Sequence, residues 1–248
     1  MCYAIVMKNY KFTDKLVEGL IKHRPNRFIM LVRINNKIVK CHCPTTGRIG
    51  NIIFSDIPCL LSRASNPKRQ TKYTVEAISL DIPQKKNKAW LGINQTKANK
   101  YIEFFLSNNQ LPKMIIGQKI SREKKLGKAR IDFKIDNHYL EVKTPLISLP
   151  TKNRFPLLKP SKFDSFDRLI KHFSELATSL NKNSRAIILL CYMYDAPTFS
   201  PPKSGADNKK IISAARQAHL KGVETWQINL KMTPSNISLI KYFKLKLF

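Results

Sequence analysis

Arg130-Ile131-Asp132-Phe133-Lys134-Ile135-Asp136-Asn137-His138-Tyr139-Leu140-Glu141-Val142-Lys143 decides the fold. From Ala129 onward the apolar residues Ala129, Ile131, Phe133 and Ile135 fall at every second position, with Arg130, Asp132 and Lys134 between them. A period of two predicts a half-buried β-strand. Asp136-Asn137 predicts a tight turn, and Tyr139 to Thr144 a second strand, with Tyr139, Glu141 and Lys143 on one face and Leu140 and Val142 on the other. In a hairpin folded at that turn, Asp132 lies across from Glu141. Two carboxylates then meet at one point on the sheet, and Lys143 projects from the same face. Mg²⁺ is a hard cation that is usually held by one or two carboxylates plus water and substrate phosphate. Asp132 and Glu141 are therefore candidate ligands for Mg²⁺ (or Mn²⁺), with Lys143 placed to bind phosphate or to lower the pKa of an attacking water. An Asp…Glu-x-Lys pattern alone is weak, because a Glu-x-Lys pair on a strand is usually a solvated ion pair.

The flanking elements give it weight. Upstream, Ala98, Tyr101, Ile102 and Phe105 recur at helical spacing within Gln95 to Ser107. Glu103 lies on that helix and is a candidate third carboxylate. Gln118 to Glu123 reads as a strand ahead of the hairpin. Downstream, Pro145, Pro150, Pro156 and Pro160 predict a long irregular loop. Asp164 to Leu180 carries an apolar helical stripe that includes Phe166, Leu169, Ile170, Phe173, Leu176 and Leu180. Ala186 to Met193 is a nearly unbroken apolar run, as expected of a strand buried on both faces. A helix over Asn208 to Lys221, ended by Gly222, and a strand over Val223 to Leu230 complete the series. The order helix, three strands, helix, strand predicts an α/β domain with a mixed sheet flanked by helices. It is the order of PD-(D/E)xK nucleases, which carry an acid on the second strand and ExK on the third.

The first third of the chain reads differently. Phe28 to Ile34 and Lys37 to Cys43 are apolar, β-branched runs joined by Asn35-Asn36, a hairpin signal because Asn tolerates the left-handed backbone. Ile52 to Phe54, Cys59 to Arg63 and Thr71 to Leu80 add short strands punctuated by Gly and Pro. This predicts a small all-β barrel over residues 1–84, with Asp81 to Lys88 leading into an α/β domain over 85–248.

Lys and Arg number 45 against 16 Asp and Glu, a formal net charge of +29. Such an excess repels itself, and the usual reason to keep it is a polyanionic partner. A Lys-rich genome explains less, since Glu would rise with Lys. Nucleic acid is the expected partner, DNA ahead of RNA. A membrane is not expected: no apolar run approaches a bilayer span, and no basic amphipathic helix suggests surface binding. The N-terminus lacks the features of a secretory signal. The five cysteines are scattered, and Cys41-His42-Cys43 has no second ligand pair at zinc-finger spacing. A reducing, cytoplasmic setting is the expectation. The oligomeric state is left open, with a homodimer as one arrangement.

Three segments of the β unit are candidate backbone-tracking surfaces. Ile21-Lys22-His23-Arg24-Pro25-Asn26-Arg27-Phe28 supplies Arg24 and Arg27, Cys43 to Arg48 supplies Arg48, and Asn66 to Tyr73 supplies Lys68, Arg69 and Lys72. Arg130 adds a cation beside the hairpin. His172, in Lys171-His172-Phe173, lies on a helix able to reach the same sheet edge.

These segments, with Ser62 to Thr74, Trp90-Leu91-Gly92-Ile93-Asn94, Tyr139 to Lys143 and Ala218 to Glu224, resemble the sugar fermentation stimulation protein (SfsA) family in order along almost the whole chain. The resemblance implies an N-terminal OB-like barrel joined to a PD-(D/E)xK nuclease-like domain, DNA binding, and a link to expression of sugar-use genes. Two readings follow from it, a metal-dependent nuclease acting on DNA or RNA, and a non-catalytic DNA-binding regulator that keeps the fold. The chain departs from the family pattern at Thr45 and Thr144, where Asn is usual, and at Leu169, where Gly is usual.

Overall fold

The computed structural model describes residues 7–146, 149–151, 155–156, 167–201 and 206–247. The elements in chain order are β1 (Tyr10–Lys11), β2 (Val17–His23), β3 (Ile29–Ile34), β4 (Lys37–His42), β5 (Ile57–Arg63), β6 (Tyr73–Ile78), β7 (Leu91–Gly92), α1 (Gln95–Ser107), β8 (Ile120–Leu126), β9 (Ala129–Ile135), β10 (His138–Lys143), α2 (Asp167–Thr178), β11 (Ala186–Tyr192), α3 (Ala206–Leu220), β12 (Glu224–Met232) and β13 (Asn236–Lys244). The expected start of the helix at Asp164 and much of the Pro-rich segment from 145 to 160 lie outside the described residues.

The first sheet runs β4-β3-β2-β5-β6-β7 and closes through β4–β6, so five strands form an OB-like barrel with β7 appended. The β3–β4 hairpin turns at Asn35 and Asn36, both left-handed (φ 47° and 65°), pairing Ile34 with Lys37. Two left-handed residues in a two-residue loop match the twist of the strands they join. Val17–His23 was not expected as a strand, because Glu18, Gly19 and Lys22 blur its alternation, yet β2 lies between β3 and β5 in the barrel wall. Ile52 to Phe54, expected as a strand, is instead a loop segment that buries Ile52 and Phe54. Cys41, Cys43 and Cys59 are barrel core, and burial pushes the Cys41 thiol up to about 12.

The second sheet runs β1-β13-β12-β11-β10-β9-β8. β10, β11 and β12 are parallel and the outer pairings antiparallel, so the sheet is mixed. β11 is buried at every position and takes the centre. β13 escapes sequence reading because Lys241 and Lys244 interrupt it and most of its side chains are only half-buried. α1 packs over Phe133, Leu140, Val142, Ile187 and Leu189. On the other face, Leu176 of α2 and Ala218 of α3 join Ala186, Ile188 and Leu190.

The two units are knitted together rather than strung apart. β7 pairs with β6, beyond the expected boundary at residue 84, and Gly92 N–H donates to the Met193 carbonyl at 2.9 Å. A Cβ on Gly92 would meet Met193 Cβ at 2.5 Å, so this approach requires glycine. Glu76 of β6 is fully buried and receives Lys97 Nζ at 2.5 Å, Asn94 Nδ2 at 2.8 Å and the Ser62 hydroxyl. A carboxylate with no access to water needs such partners, and here they bind the barrel to the start of α1.

Candidate active site

The hairpin forms as its sequence directs, with Ile135 paired to His138 and Asp136 left-handed (φ 49°) in the turn. The Asp136 carboxylate accepts the Gln118 and Lys119 amides, at 3.1 and 2.9 Å, and these bonds hold its pKa below the usual range. The β9–β10 ladder then runs through Tyr139↔Lys134 and Leu140↔Phe133 and stops before Asp132 and Glu141. There the side chains take over from the backbone. Val142 N–H donates to Asp132 Oδ2 at 2.8 Å, and Asp132 N–H donates to Glu141 Oε2 at 3.2 Å. On the other side, the β8–β9 ladder skips Glu123, whose φ is 50°.

One expectation for β9 changes at this point. Alternation alone puts Ala129, Ile131, Phe133 and Ile135 on one face. In the structure Phe133 and Ile135 pack under α1, while Ala129 and Ile131 join the cluster that holds Leu176 of α2. The β8–β9 hairpin therefore rolls over at Asp132. Its tip is held against α2 by Lys128 N–H, which donates to Glu175 Oε1 at 3.0 Å. Gly127 (φ 53°) permits the contact, because a Cβ there would meet Glu175 Oε2 at 1.9 Å.

Glu141 is 2% exposed. Its Oε1 accepts Lys143 Nζ at 2.6 Å and is bonded to Nδ1 of His172, itself 3% exposed. Lys143 Nζ also lies 3.3 Å from His172 Nδ1. Burial opposes ionisation of Glu141, but the bonds from His172 and Lys143 outweigh it and lower the pKa. Asp132 shifts the other way. Burial and the Glu141 charge raise its pKa, against the bonds from Val142 and Asn99 and the charge of Lys143. Two neighbouring carboxylates with opposite shifts are a site that a cation would relieve.

Asn99 was not anticipated. Its Nδ2 donates to Asp132 Oδ1 at 2.8 Å. Gln95, one turn earlier on α1, donates to the Thr144 carbonyl at 2.8 Å. Glu103, the expected third carboxylate, sits one turn beyond Asn99 and faces Arg122 Nη1 at 3.5 Å. Helical spacing marks this face of α1 but does not say which turn reaches the hairpin. Among the described residues no group of three or more His, Cys, Asp or Glu side chains is placed to hold a metal. The donor set that is present, two carboxylates at an open cleft, fits a cation that keeps several waters and takes phosphate oxygens. That cleft, of about 780 Å³, is lined by Asp132, Glu141, Lys143, Gln95 and Asn99, by Pro44 and Thr46 from the barrel, and by an apolar wall from α2, α3 and the segment after β11. It includes Leu169, one of the family departures. Thr45, another, is buried and bonded to the Ile93 carbonyl.

The expected nucleic-acid cations divide. Arg24 turns inward, with Nη2 donating to the carbonyls of Thr45 at 2.7 Å, Arg27 at 3.1 Å and Gly47 at 3.2 Å. It braces the loop at Cys43 to Gly47. Arg27 lies 4.7 Å over the exposed Phe28 ring. Arg48 Nη1 meets Asn51 Oδ1 at 3.3 Å, and Arg130 Nη1 meets Glu123 Oε2 at 3.3 Å. Lys68 and Lys72 are exposed and Arg69 half-buried, in a turn whose Lys68 amide is held by Asn66 Oδ1 at 2.9 Å.

Comparison with known proteins agrees with the fold. The SfsA N-terminal OB domain family matches residues 23–93, and the sugar fermentation stimulation protein RE domain family matches residues 96–236. A sugar fermentation stimulation protein homolog of Clostridium novyi is 33% identical over 220 residues, covering 86% of this chain and 90% of its own. The Clostridium tetani homolog is 31% identical over 246 residues, covering 97% and 98%. The solved SfsA of Pyrococcus furiosus, described as a complex with Ca²⁺, superposes with a TM-score of 0.71 at 20% identity, covering 98% of this chain and all of its own. No helix among the described residues is long and apolar enough to cross a membrane. With both domain families matched in order, the chain belongs to the sugar fermentation stimulation protein (SfsA) family.

Proposed function

We propose that this protein is a metal-dependent nuclease that hydrolyses phosphodiester bonds of DNA or RNA. The observation that carries the reading is the pairing of Asp132 with Glu141 across the opened ladder, with Lys143 Nζ 2.6 Å from Glu141, at the edge of a cleft. Asp132 and Glu141 would hold Mg²⁺ or Mn²⁺. Bound there, such a cation would supply charge stabilisation at the scissile phosphate and a more acidic water. Ca²⁺ in the Pyrococcus furiosus relative is a hard cation with the same preference for oxygen ligands. Lys143 provides a fixed positive charge for a phosphate oxygen, His172 holds Glu141 in place from behind, and Asn99 orients Asp132. The net charge of +29 draws the polymer in, and Lys68 and Lys72 face water on the barrel. The test is incubation of the purified chain with plasmid, single-stranded DNA and RNA, with Mg²⁺, Mn²⁺ or chelator. Cleavage that needs metal and is lost in Glu141→Ala and Lys143→Ala supports the reading. Absence of cleavage, or its survival in those variants, rejects it.

A second reading has an observation of its own. Lys143 Nζ already neutralises Glu141, as an internal cation would. A non-catalytic DNA-binding regulator of sugar-use genes would keep the cleft as a phosphate platform. It would bind nucleic acid with strong salt dependence and no metal requirement.

A further inference from the structure

The carboxylates occupy one end of the cleft, and the rest of it is built from other material. Leu169 and Phe173 of α2, Ile212 of α3, Leu190 of β11, and Phe199 and Pro201 line the space that continues from Asp132 and Glu141. A phosphodiester has no use for an apolar chamber, and exposing one to water is unfavourable. The wall that carries Phe199 is also held firmly. Phe199 N–H donates to Gln227 Oε1 at 2.7 Å, and Gln227 Nε2 donates to the Pro197 carbonyl and to Asn229 Oδ1, each at 2.9 Å. Asn229 Nδ2 in turn donates to the Ala196 carbonyl at 2.6 Å. Gln227 and Asn229 are both fully buried. Two buried amides on β12 thus fix the segment that presents Phe199, and satisfied buried polar networks rigidify what they hold.

We infer that this chamber is a subsite for an unpaired nucleobase next to the bond to be cut, so that the polymer taken by the site is single-stranded or locally opened nucleic acid. The inference rests on the nucleic-acid reading above and adds the substrate class. A base presents a broad planar face beside each phosphodiester of a nucleic acid, and aromatic side chains bind it through that face regardless of sequence. In a duplex that face is stacked and paired, and only an extruded or unpaired nucleotide can enter a pocket. The cleft volume of about 780 Å³ lies in the range of sites that enclose small ligands. The net charge of +29 favours a base attached to a polyanion over a free apolar ligand or an apolar peptide.

The test is fluorescence anisotropy of the full chain, with chelator present so that nothing is cut. The probes are a labelled single strand of about twelve nucleotides, within the usual site size, its blunt duplex, a duplex with one unpaired nucleotide, and the same duplex with that nucleotide abasic. The single strand and the unpaired-nucleotide duplex are expected to bind at least about tenfold more tightly than the blunt duplex, and the abasic probe to lose that advantage. Phe199→Ala is expected to weaken single-strand binding by about 5- to 100-fold, the range that one base–aromatic stack supports, and to leave blunt-duplex binding unchanged. Phe199→Leu keeps an apolar side chain without the ring and gives the same answer if the alanine variant fails to fold. Equal affinities for single strand and duplex, or a preference that survives Phe199→Leu, overturns the subsite while leaving the nuclease reading standing. Failure to bind any of the four probes overturns both.

Discussion

Asp132 and Glu141 exchange support across the gap between their strands. The Glu141 carboxylate accepts the Asp132 amide at 3.2 Å, and the Asp132 carboxylate accepts the Val142 amide, next to Glu141, at 2.8 Å. The backbone ladder has ended one pair earlier. Two strands that part would leave amides unpaired, and a buried unpaired amide costs about 1–3 kcal/mol. The carboxylates remove that cost, and they are thereby fixed at the point of parting. The structural role of the pair and the chemical role proposed for it rest on the same geometry.

Asp132→Asn separates the two roles. The amide oxygen of Asn still accepts the Val142 N–H, the repulsion from Glu141 disappears, and the Asn99 amide keeps its bond by flipping so that its oxygen accepts from the new NH2. In chelator the variant is expected to melt at or above the wild-type temperature. With metal the order reverses: wild type gains about 2.7 kcal/mol when Mn²⁺ is present at a hundred times its Kd, and the variant gains nothing. Thermal melts with and without Mn²⁺ decide it, and equal metal-induced shifts in both proteins would show that Asp132 is not a ligand.

His172 lies behind Glu141, buried and bonded to Oε1. Partners that orient a ligating side chain typically carry about 10- to 100-fold in metal affinity or activity. His172→Ala is expected to lower single-turnover cleavage by about that factor. His172→Gln, which can still donate to Glu141, is expected to recover part of it. If both variants cleave at the wild-type rate, His172 is only packing.

The hairpin and its carboxylates were legible because a period of two and a two-residue turn fix register, and register fixes which side chains meet. Other features have no such signature. Asn99 and Glu103 share a helical face, and charge favoured Glu103, while the fold places Asn99 against Asp132 and leaves Glu103 to Arg122. Ile131 follows the alternation and still changes cluster, because the strand rolls at Asp132. β13 carries lysines on its water-facing positions and lacks a clean alternation. The wall at Phe199 depends on Gln227 and Asn229, two amides in a segment that sequence reads only as a strand. Contacts made across long sequence separations are set by the fold, so the motif was visible and its surroundings were not.

Arg24, in a basic segment of the barrel, already has backbone acceptors. Its guanidinium spans the carbonyls of Arg27, Thr45 and Gly47. Arg24→Ala is expected to cost about 1 kcal/mol of stability, since the carbonyl of buried Thr45 loses its donor while those of Arg27 and Gly47 remain open to water. The salt dependence of nucleic-acid binding should stay the same. Lys68→Ala and Lys72→Ala are the converse: little change in stability, and a salt slope lower by about one for each phosphate contact removed. Denaturant melts and a titration of log Kd against log salt separate the two kinds of residue. A lower slope in Arg24→Ala would return that residue to the interface.

Glu224 stands outside the cleft and sets an acid limit on the fold. Arg185 Nε and Nη2 meet its two oxygens at 2.7 and 3.0 Å, Trp226 Nε1 donates at 3.0 Å, and Lys244 Nζ lies at 3.1 Å. Burial opposes its ionisation, but these partners outweigh burial and bring the pKa down to about 2. A carboxylate whose folded pKa is depressed adds stability that is complete above its unfolded value, near 4.5, and is lost as pH falls through about 2. The shift corresponds to roughly 2–3 kcal/mol at neutral pH, allowing for partial exposure. Glu224→Gln keeps an acceptor and removes the charge, so it should be less stable than wild type by that amount at pH 7. The difference should narrow steadily below pH 4.5 and vanish near pH 2. Urea melts of both proteins across that interval measure it. A gap that stays constant with pH would mean that the Arg185, Trp226 and Lys244 contacts act on Glu224 through shape and not through its charge.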